Sequence, residues 1–193
     1  MDGLDENYAL IKAGKNGDKK ALSELVECYS ETVHSVIYSI VGNKDYVEDL
    51  AQETFLKMIV ALPAFEFRAP FKSWLVRIAV NLCRDHLRRK KVRRIMLPFL
   101  EQEFQDKSWQ YADAEQNPAR DVLRKERNHH LQQALKQLSG NLRNVFILRD
   151  IQDFSYEEIA QALNWRPGTV KSRLFRARAE LAKILGPMWE KEP

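Results

Sequence analysis

The sequence predicts an all-α protein made of two helical domains joined by a linker, the C-terminal one a helix-turn-helix. Three observations carry this. Apolar residues recur at helical spacing along most of the chain, and no alternating strand pattern competes. Seven glycines and seven prolines among 193 residues are too few for the turns of a loop-rich β protein. Charge is also partitioned into blocks, which divides the chain. With 45% apolar and 30% charged residues, a core can form and wholesale disorder is not expected. No apolar run reaches the length of a membrane span, and the start (Met1, Asp2, Asp5, Glu6) is acidic where a secretory leader is basic. Neither a transmembrane helix nor a signal peptide is therefore expected. Cys28 and Cys83 lack a CxxC or CxxH neighbour, which argues against a disulfide framework or a zinc module and fits a reducing cytosol.

The first helix start is read at Gly17-Asp18. From there Leu22, Leu25, Val26, Tyr29, Val33, Val36, Ile37 and Ile40 keep helical spacing up to Gly42, with Cys28 assigned to the same apolar face. A second helix is expected from about 43–45 to Leu62, where Pro63 ends it. Along it Val47, Leu50, Ala51, Thr54 and Met58 pack inward. The third helix has the clearest pattern. Phe71, Trp74, Leu75, Ile78, Ala79, Leu82, Cys83, His86 and Leu87 form one continuous stripe, and Arg77, Asn81, Arg84 and Arg88 follow its flank. Residues 84–94 then hold seven bases and one acid, whereas residues 101–121 hold six acids and two bases. That switch places a linker at 98–118, between a domain of residues 1–97 and one of residues 119–193. Further helices are expected at about 119–138, 142–150, 155–163 and 169–185.

Ser155-Tyr-Glu-Glu158 has the spacing of a capping box, and Asn164-Trp-Arg-Pro-Gly168 reads as a tight turn. The helix beyond it buries Val170, Leu174, Ala177, Leu181 and Leu185. Short helix, turn and longer basic helix is the helix-turn-helix layout, whose second helix enters a major groove. At about 100° per residue, Lys171, Ser172, Phe175 and Arg176 fall on the outer side. Lys171 and Arg176 suit guanine acceptors, and Phe175 a thymine methyl. Arg173 and Arg178 lie on the flanks, where phosphates are held. Residues 166–183 carry six bases and one acid, as a polyanion contact requires.

In the N-terminal half, Asp49-Leu-Ala-Gln-Glu-Thr-Phe55, Phe71-Lys-Ser-Trp-Leu-Val-Arg-Ile-Ala-Val-Asn81 and Asp85-His-Leu-Arg-Arg89 resemble region 2 of the extracytoplasmic-function (ECF) group of bacterial RNA polymerase sigma factors. The segment Ser155–Leu181, with Gly168-Thr-Val-Lys-Ser-Arg-Leu174, resembles their region 4. The resemblance covers nearly the whole chain in the right order. It implies core polymerase docking on the β′ clamp helices through Asp49, Gln52, Glu53 and Phe55. It also implies capture of a base flipped out of the −10 element by the loop 63–70, with Phe65 in the loop and Asn81 at the pocket wall. Phe67 and Arg68 of that loop, and Arg77, Arg84 and Arg88, are the accompanying candidates for single-strand or phosphate contact. The loop departs from the family pattern at Glu66, Phe67 and Pro70. Region 4 would read the −35 element through Arg166, Thr169, Lys171, Ser172, Arg173, Phe175, Arg176 and Arg178.

The implied partners are core RNA polymerase, through β′ and β, promoter DNA, and an anti-sigma factor that could hold a cytoplasmic chain at the membrane. No small-molecule substrate, cofactor, metal or membrane insertion is expected. No phosphate loop, nucleophile elbow or HExxH pair occurs, so no catalytic site is expected either. His129 and His130 point to different helix faces and do not clasp one metal. The rival reading is a stand-alone dimeric helix-turn-helix regulator.

Overall fold

The computed structural model describes residues 7–96 and 130–189, and among these every regular element is helical. The sequence-expected linker at 98–118 and the first part of the helix expected at 119–138 lie outside the described residues, as does His129.

The first helix among the described residues is one that the periodicity did not reveal, α1 (Tyr8–Lys15). It is held close to its neighbours by Gly14. A Cβ there would stand 3.1 Å from both Leu25 Cδ1 and Leu62 Cδ2, so a larger side chain would push the helix off. Gly17, at φ 85°, turns the chain into Asp18. The Asp18 carboxylate accepts from the backbone N–H of Lys20 and Ala21 and so caps α2 (Lys19–Val41). Ala21, Leu25, Tyr29, Val33, Val36, Ile37 and Ile40 are buried along α2, as their spacing predicts. Cys28 is not: it lies beyond the edge of that stripe, about 100° around the helix from its centre, and is exposed, a correction to its sequence assignment.

Gly42, at φ 70°, ends α2, and Asn43 caps a short 3-10 turn leading into α3 (Val47–Ala61). Thr54 is buried with its hydroxyl donating to the Leu50 carbonyl at 2.7 Å, which satisfies a polar group inside the core. A 3-10 turn at Leu62–Ala64, with Pro63 inside it, closes the helix where the sequence places its end.

Helix α4 (Phe71–Met96) follows. One face, with Phe71, Leu75, Ala79 and Leu82, packs on α2 and α3. The helix has a second buried face that the single-stripe reading missed. Val76 and Val80, respectively about 140° and 180° around from Phe71, are as fully buried as the first face. Cys83 and Leu87 lie between about 120° and 160°, with this second face instead of on the stripe assigned from sequence.

The C-terminal helices cover that face. Residues 130–137 form α5, followed by α6 (Gly140–Phe146). The Arg143 guanidinium donates to the Leu135 and Lys136 carbonyls at 2.7 Å each, capping the end of α5. Beyond Phe146 the helix widens into a π turn at Ile147–Ile151, so the α-helix expected over 142–150 is interrupted. Arg149 secures the exit by donating to Asp153 Oδ1 and to the Phe154 carbonyl, both at 3.0 Å. Asp153 takes a left-handed φ of 52°, which turns Phe154 into the core.

Helix α7 (Tyr156–Leu163) carries the capping box in full. Glu158 N–H donates to Ser155 Oγ at 3.2 Å, and Ser155 N–H donates to the Glu158 carboxylate at 2.8 Å. Asn164, at φ 55°, ends it, and Trp165 N–H returns to the Ala160 carbonyl. Helix α8 (Pro167–Trp189) begins at its proline, so Pro167 and Gly168 belong to the helix and the turn is shorter than expected. Helix α8 packs across α6 and α7, while α7 lies against α4, and the buried side chains form one contiguous core across both sets of helices. Ser155→Ala removes a donor-satisfying cap from α7, and should lower stability by about 1 kcal/mol. Urea unfolding followed by circular dichroism checks this.

Candidate nucleic-acid and protein interfaces

The outer face of α8 stands as the sequence places it. Val170, Leu174, Ala177, Leu181 and Leu185 are buried, and Lys171, Ser172, Phe175 and Arg176 face solvent. Phe175 is 76% exposed, an apolar ring with no part in the core. The flanking cations are pre-positioned by the protein. The Arg173 guanidinium lies 4.0 Å from the Trp165 ring centroid. Arg178 forks onto Asp150, with Nε donating to Oδ2 at 3.0 Å, and that hydrogen bond raises its pKa further. Ser172 donates to the Thr169 carbonyl at 3.1 Å, and Arg166 projects from the turn before α8. The surface presents cations around a central exposed ring.

A second surface lies on α3. Asp49 and Gln52 are exposed and Glu53 is half-buried, paired with Lys57 at 3.2 Å. Phe55, expected with them, faces inward and is nearly covered, because it completes the apolar face of α3. Its outer edge forms the floor of an open groove of about 370 Å³ between α2 and α3, lined also by Val26, His34, Gln52, Leu56 and Ile59. Leu56 is 64% exposed and Val60 82%. These apolar residues were missed, although Gln52, Leu56, Ile59 and Val60 keep the spacing of a second helical stripe. At the groove's edge, His34 Nε2 and Gln52 Nε2 each lie 3.2 Å from the Glu48 carboxylate. The His34 and Gln52 hydrogen bonds, with the nearby His34 charge, hold Glu48 below its ordinary value of 4.5.

The third surface joins the loop after α3 to α4. Phe65 is turned inward, with its ring 4.9 Å from Phe67, 5.6 Å from Phe71 and 5.0 Å from Trp74. The Lys15 ammonium donates to its carbonyl and fixes the loop to α1. Phe65 thus lies on the inner side of the loop. The loop's partly exposed ring is Phe67, at φ 56° and in tilted contact with Tyr8, ring centroids 4.9 Å apart. Arg68 pairs with Glu66 at 2.7 Å. On α4, Arg77, Asn81, Arg84 and Arg88 share one face within about 60°. Asn81 is exposed, Arg88 pairs with Asp85, and the Arg77 Nε is buried without a hydrogen-bond partner. Arg84 donates to Asn141 Oδ1 at 2.6 Å. Among the described residues, no helix is long and apolar enough to cross a membrane, and no three His, Cys, Asp or Glu side chains gather as a metal site.

The sigma-70 region 2 family matches residues 25–93, which hold the α3 and α4 surfaces, and the sigma-70 region 4 family matches residues 129–181, which hold the helix-turn-helix. The chain belongs to the sigma-70 family. It is 33% identical to the RNA polymerase sigma-H factor of Pseudomonas aeruginosa, over 95% of this chain and 96% of that one. To the ECF RNA polymerase sigma factor SigW of Bacillus subtilis it is also 33% identical, over 91% and 94% of the two chains. Among solved structures it is similar to CnrH, determined in complex with the cytosolic domain of CnrY, with a TM-score of 0.67 at 26% identity over 93% of this chain and 96% of that one. It is also similar to RpoE of Bartonella quintana, determined in complex with the anti-sigma factor NepR, with a TM-score of 0.62 at 25% identity over 86% and 98%. Region 2 thus contributes the groove and the α4 face, and region 4 the outer face of α8.

Because folding depresses the Glu48 carboxyl, its contribution to stability is present above pH 4.5 and lost as pH falls through the lower folded value. In a carboxyl-resolved NMR titration, His34→Ala should move the Glu48 midpoint back up towards 4.5.

Proposed function

We propose that the chain is an alternative sigma factor of the ECF group, which binds core RNA polymerase, directs it to particular promoters and helps open the −10 element. The observation that carries this reading is the bare outer face of α8, where Lys171, Phe175 and Arg176 stand in solvent on the second helix of a helix-turn-helix. A face with this composition suits base edges: cations for guanine, a ring for a thymine methyl. Residues 119–193 would read the −35 element, with Arg166, Thr169, Arg173 and Arg178 towards phosphates. Residues 1–97 would dock on the polymerase and handle the −10 element, and residues 98–118 would connect the two.

Asp49, Gln52 and Glu53 supply charge complementarity beside the groove, and Leu56, Ile59 and Val60 supply the apolar area that makes a protein contact hold. Phe67, Asn81 and the α4 arginines suit the single strand, which is gripped by stacking and by cations along its backbone. Bond-making is left to the polymerase. The structural neighbours determined with CnrY and with the anti-sigma factor NepR support an anti-sigma factor as a further partner, acting on this chain in the cytoplasm.

Two measurements test the reading. Wild-type chain should co-elute with core RNA polymerase, and Asp49→Arg should lose that co-elution while keeping its helicity; a wild-type chain that elutes apart from core overturns the assignment. Arg176→Ala should weaken binding to the cognate −35 duplex by about 1–3 kcal/mol and spare unrelated duplexes. Fluorescence anisotropy against both duplexes distinguishes a base contact from a phosphate contact, which would be lost on every sequence alike.

A further inference from the structure

We infer that Tyr8 of α1 is a stacking platform for an unstacked base of single-stranded DNA, with Lys12 and Lys15 beside it for the flanking phosphates. The inference deepens the proposed handling of the −10 strand and rests on that reading. It adds a third element to that surface, since Tyr8 and both lysines lie outside the loop 63–70 and α4.

Four rings run in series from the core to the surface. Trp74 and Phe65 stand 5.0 Å apart between centroids, Phe65 and Phe67 4.9 Å, and Phe67 and Tyr8 4.9 Å. Phe65 is buried, Phe67 is half-buried, and Tyr8 at the end of the row is 42% exposed. Packing does not require that ring, because the inward face of α1 is made by Ile11 and Gly14, both buried. Among the described residues two aromatic rings count as exposed, Tyr8 and Phe175, and Phe175 is the centre of the α8 face.

The geometry of the row decides where a base can go. A base slotted between two rings needs them parallel and about 6.8 Å apart, twice the stacked-step spacing of about 3.4 Å. Tyr8 and Phe67 are closer than that and tilted by 45°, so the gap between them is shut. A base therefore adds to the outer face of Tyr8, as the next member of the row. Bases within a duplex have both faces covered by their neighbours, so the platform accepts a base only after it has unstacked. Stacking there offsets part of the cost of opening and holds the strand beside Phe67.

Charge around the ring names the class of ligand. Helix α1 carries two lysines and no acid. Lys12 lies about 40° to one side of Tyr8 around the helix and Lys15 about 20° to the other. Lys12 is exposed, while the Lys15 ammonium stands 5.2 Å from the Phe67 centroid and is fixed there by the Phe65 carbonyl. Glu66, the acid next to Phe67 in the loop, is paired with Arg68 at 2.7 Å. An exposed ring among cations is what a single strand needs, a face for the base and charges for its backbone. The α3 groove has the opposite composition, with Leu56 and Ile59 near Glu48, Asp49 and Glu53, and suits a protein instead.

The test uses the full chain, alone and with core RNA polymerase, and compares a labelled oligothymidylate with an abasic strand of the same length by fluorescence anisotropy. Wild type should prefer the strand that carries bases. Tyr8→Ala should reduce that preference by about fivefold or more, and Tyr8→Phe should keep it. Lys12→Gln should weaken both strands alike and lower the log–log salt slope by about 0.7. With 5-iodouracil in place of one thymine, irradiation should cross-link the strand to Tyr8, located by peptide mass spectrometry. Should Tyr8→Ala lose helicity, the cross-link in the wild-type chain decides. Equal wild-type affinity for the two strands, a folded Tyr8→Ala that keeps the preference, or cross-links that avoid α1, overturn the platform. Loss of core co-elution by Tyr8→Ala with the strand preference intact also overturns it and makes Tyr8 a protein contact. A wild-type chain that never co-elutes with core overturns the sigma-factor reading, with the strand comparison still deciding the platform.

Discussion

A helix with two apolar faces has to be covered twice, and α4 is such a helix. Its first face, with Phe71, Leu75 and Leu82, is met by α2 and α3, and its second, with Val76 and Val80, by the helix-turn-helix half. Burying a valine side chain contributes about 1.5–3 kcal/mol, so the second covering is a substantial part of what keeps the chain closed. The two coverings differ in kind. The first is almost wholly apolar; the second mixes valines with a lysine–ring contact, an arginine–asparagine bond and a glutamine shared by two serines. The strip of α4 left uncovered by both holds Asn81 and Arg88, so the two packing requirements also decide which side chains of this helix remain exposed.

The remaining surfaces are placed by equally local devices. On α8 a five-member buried stripe fixes the rotation of the helix, and Phe175 is exposed because every inward position is already taken. Arg173 on Trp165 and Arg178 on Asp150 have given up rotamer freedom to protein partners. A pre-ordered cation loses less entropy on meeting a phosphate. On α3 the polar and apolar candidates share one side of the helix, with Asp49 and Gln52 towards its start and Leu56 and Ile59 towards its end.

Much of this was legible in the sequence, because the informative features are local. The capping box at Ser155–Glu158, the Asp18 cap, the end of α3 at Pro63 and the facing of α8 follow from a few neighbouring residues. What escaped has a common cause. Helix α1 is one short segment anchored by the closeness of Gly14 to Leu25 and Leu62, a contact between distant parts of the chain. Val76 and Val80 follow Leu75 and Ala79 on a helix that already has a complete stripe, so a single-stripe reading passes over them. Leu56, Ile59 and Val60 show the reverse, apolar spacing without burial. Phe55 and Phe65 were assigned to surfaces by resemblance and lie inward, since motif position carries no information about rotation.

Phe67 is a small reservoir of energy at the tip of its loop. A left-handed backbone costs a residue with a side chain about 1–2 kcal/mol, and here it is maintained by Tyr8, Phe65 and the Lys15 ammonium around the ring. Whatever draws that ring away from its neighbours also lets the peptide relax to an ordinary extended angle. The refund is of the same order as part of the cost of unstacking a base, a few kcal/mol. Under the proposed role of the loop in opening the −10 element, that recoil would favour release of the ring.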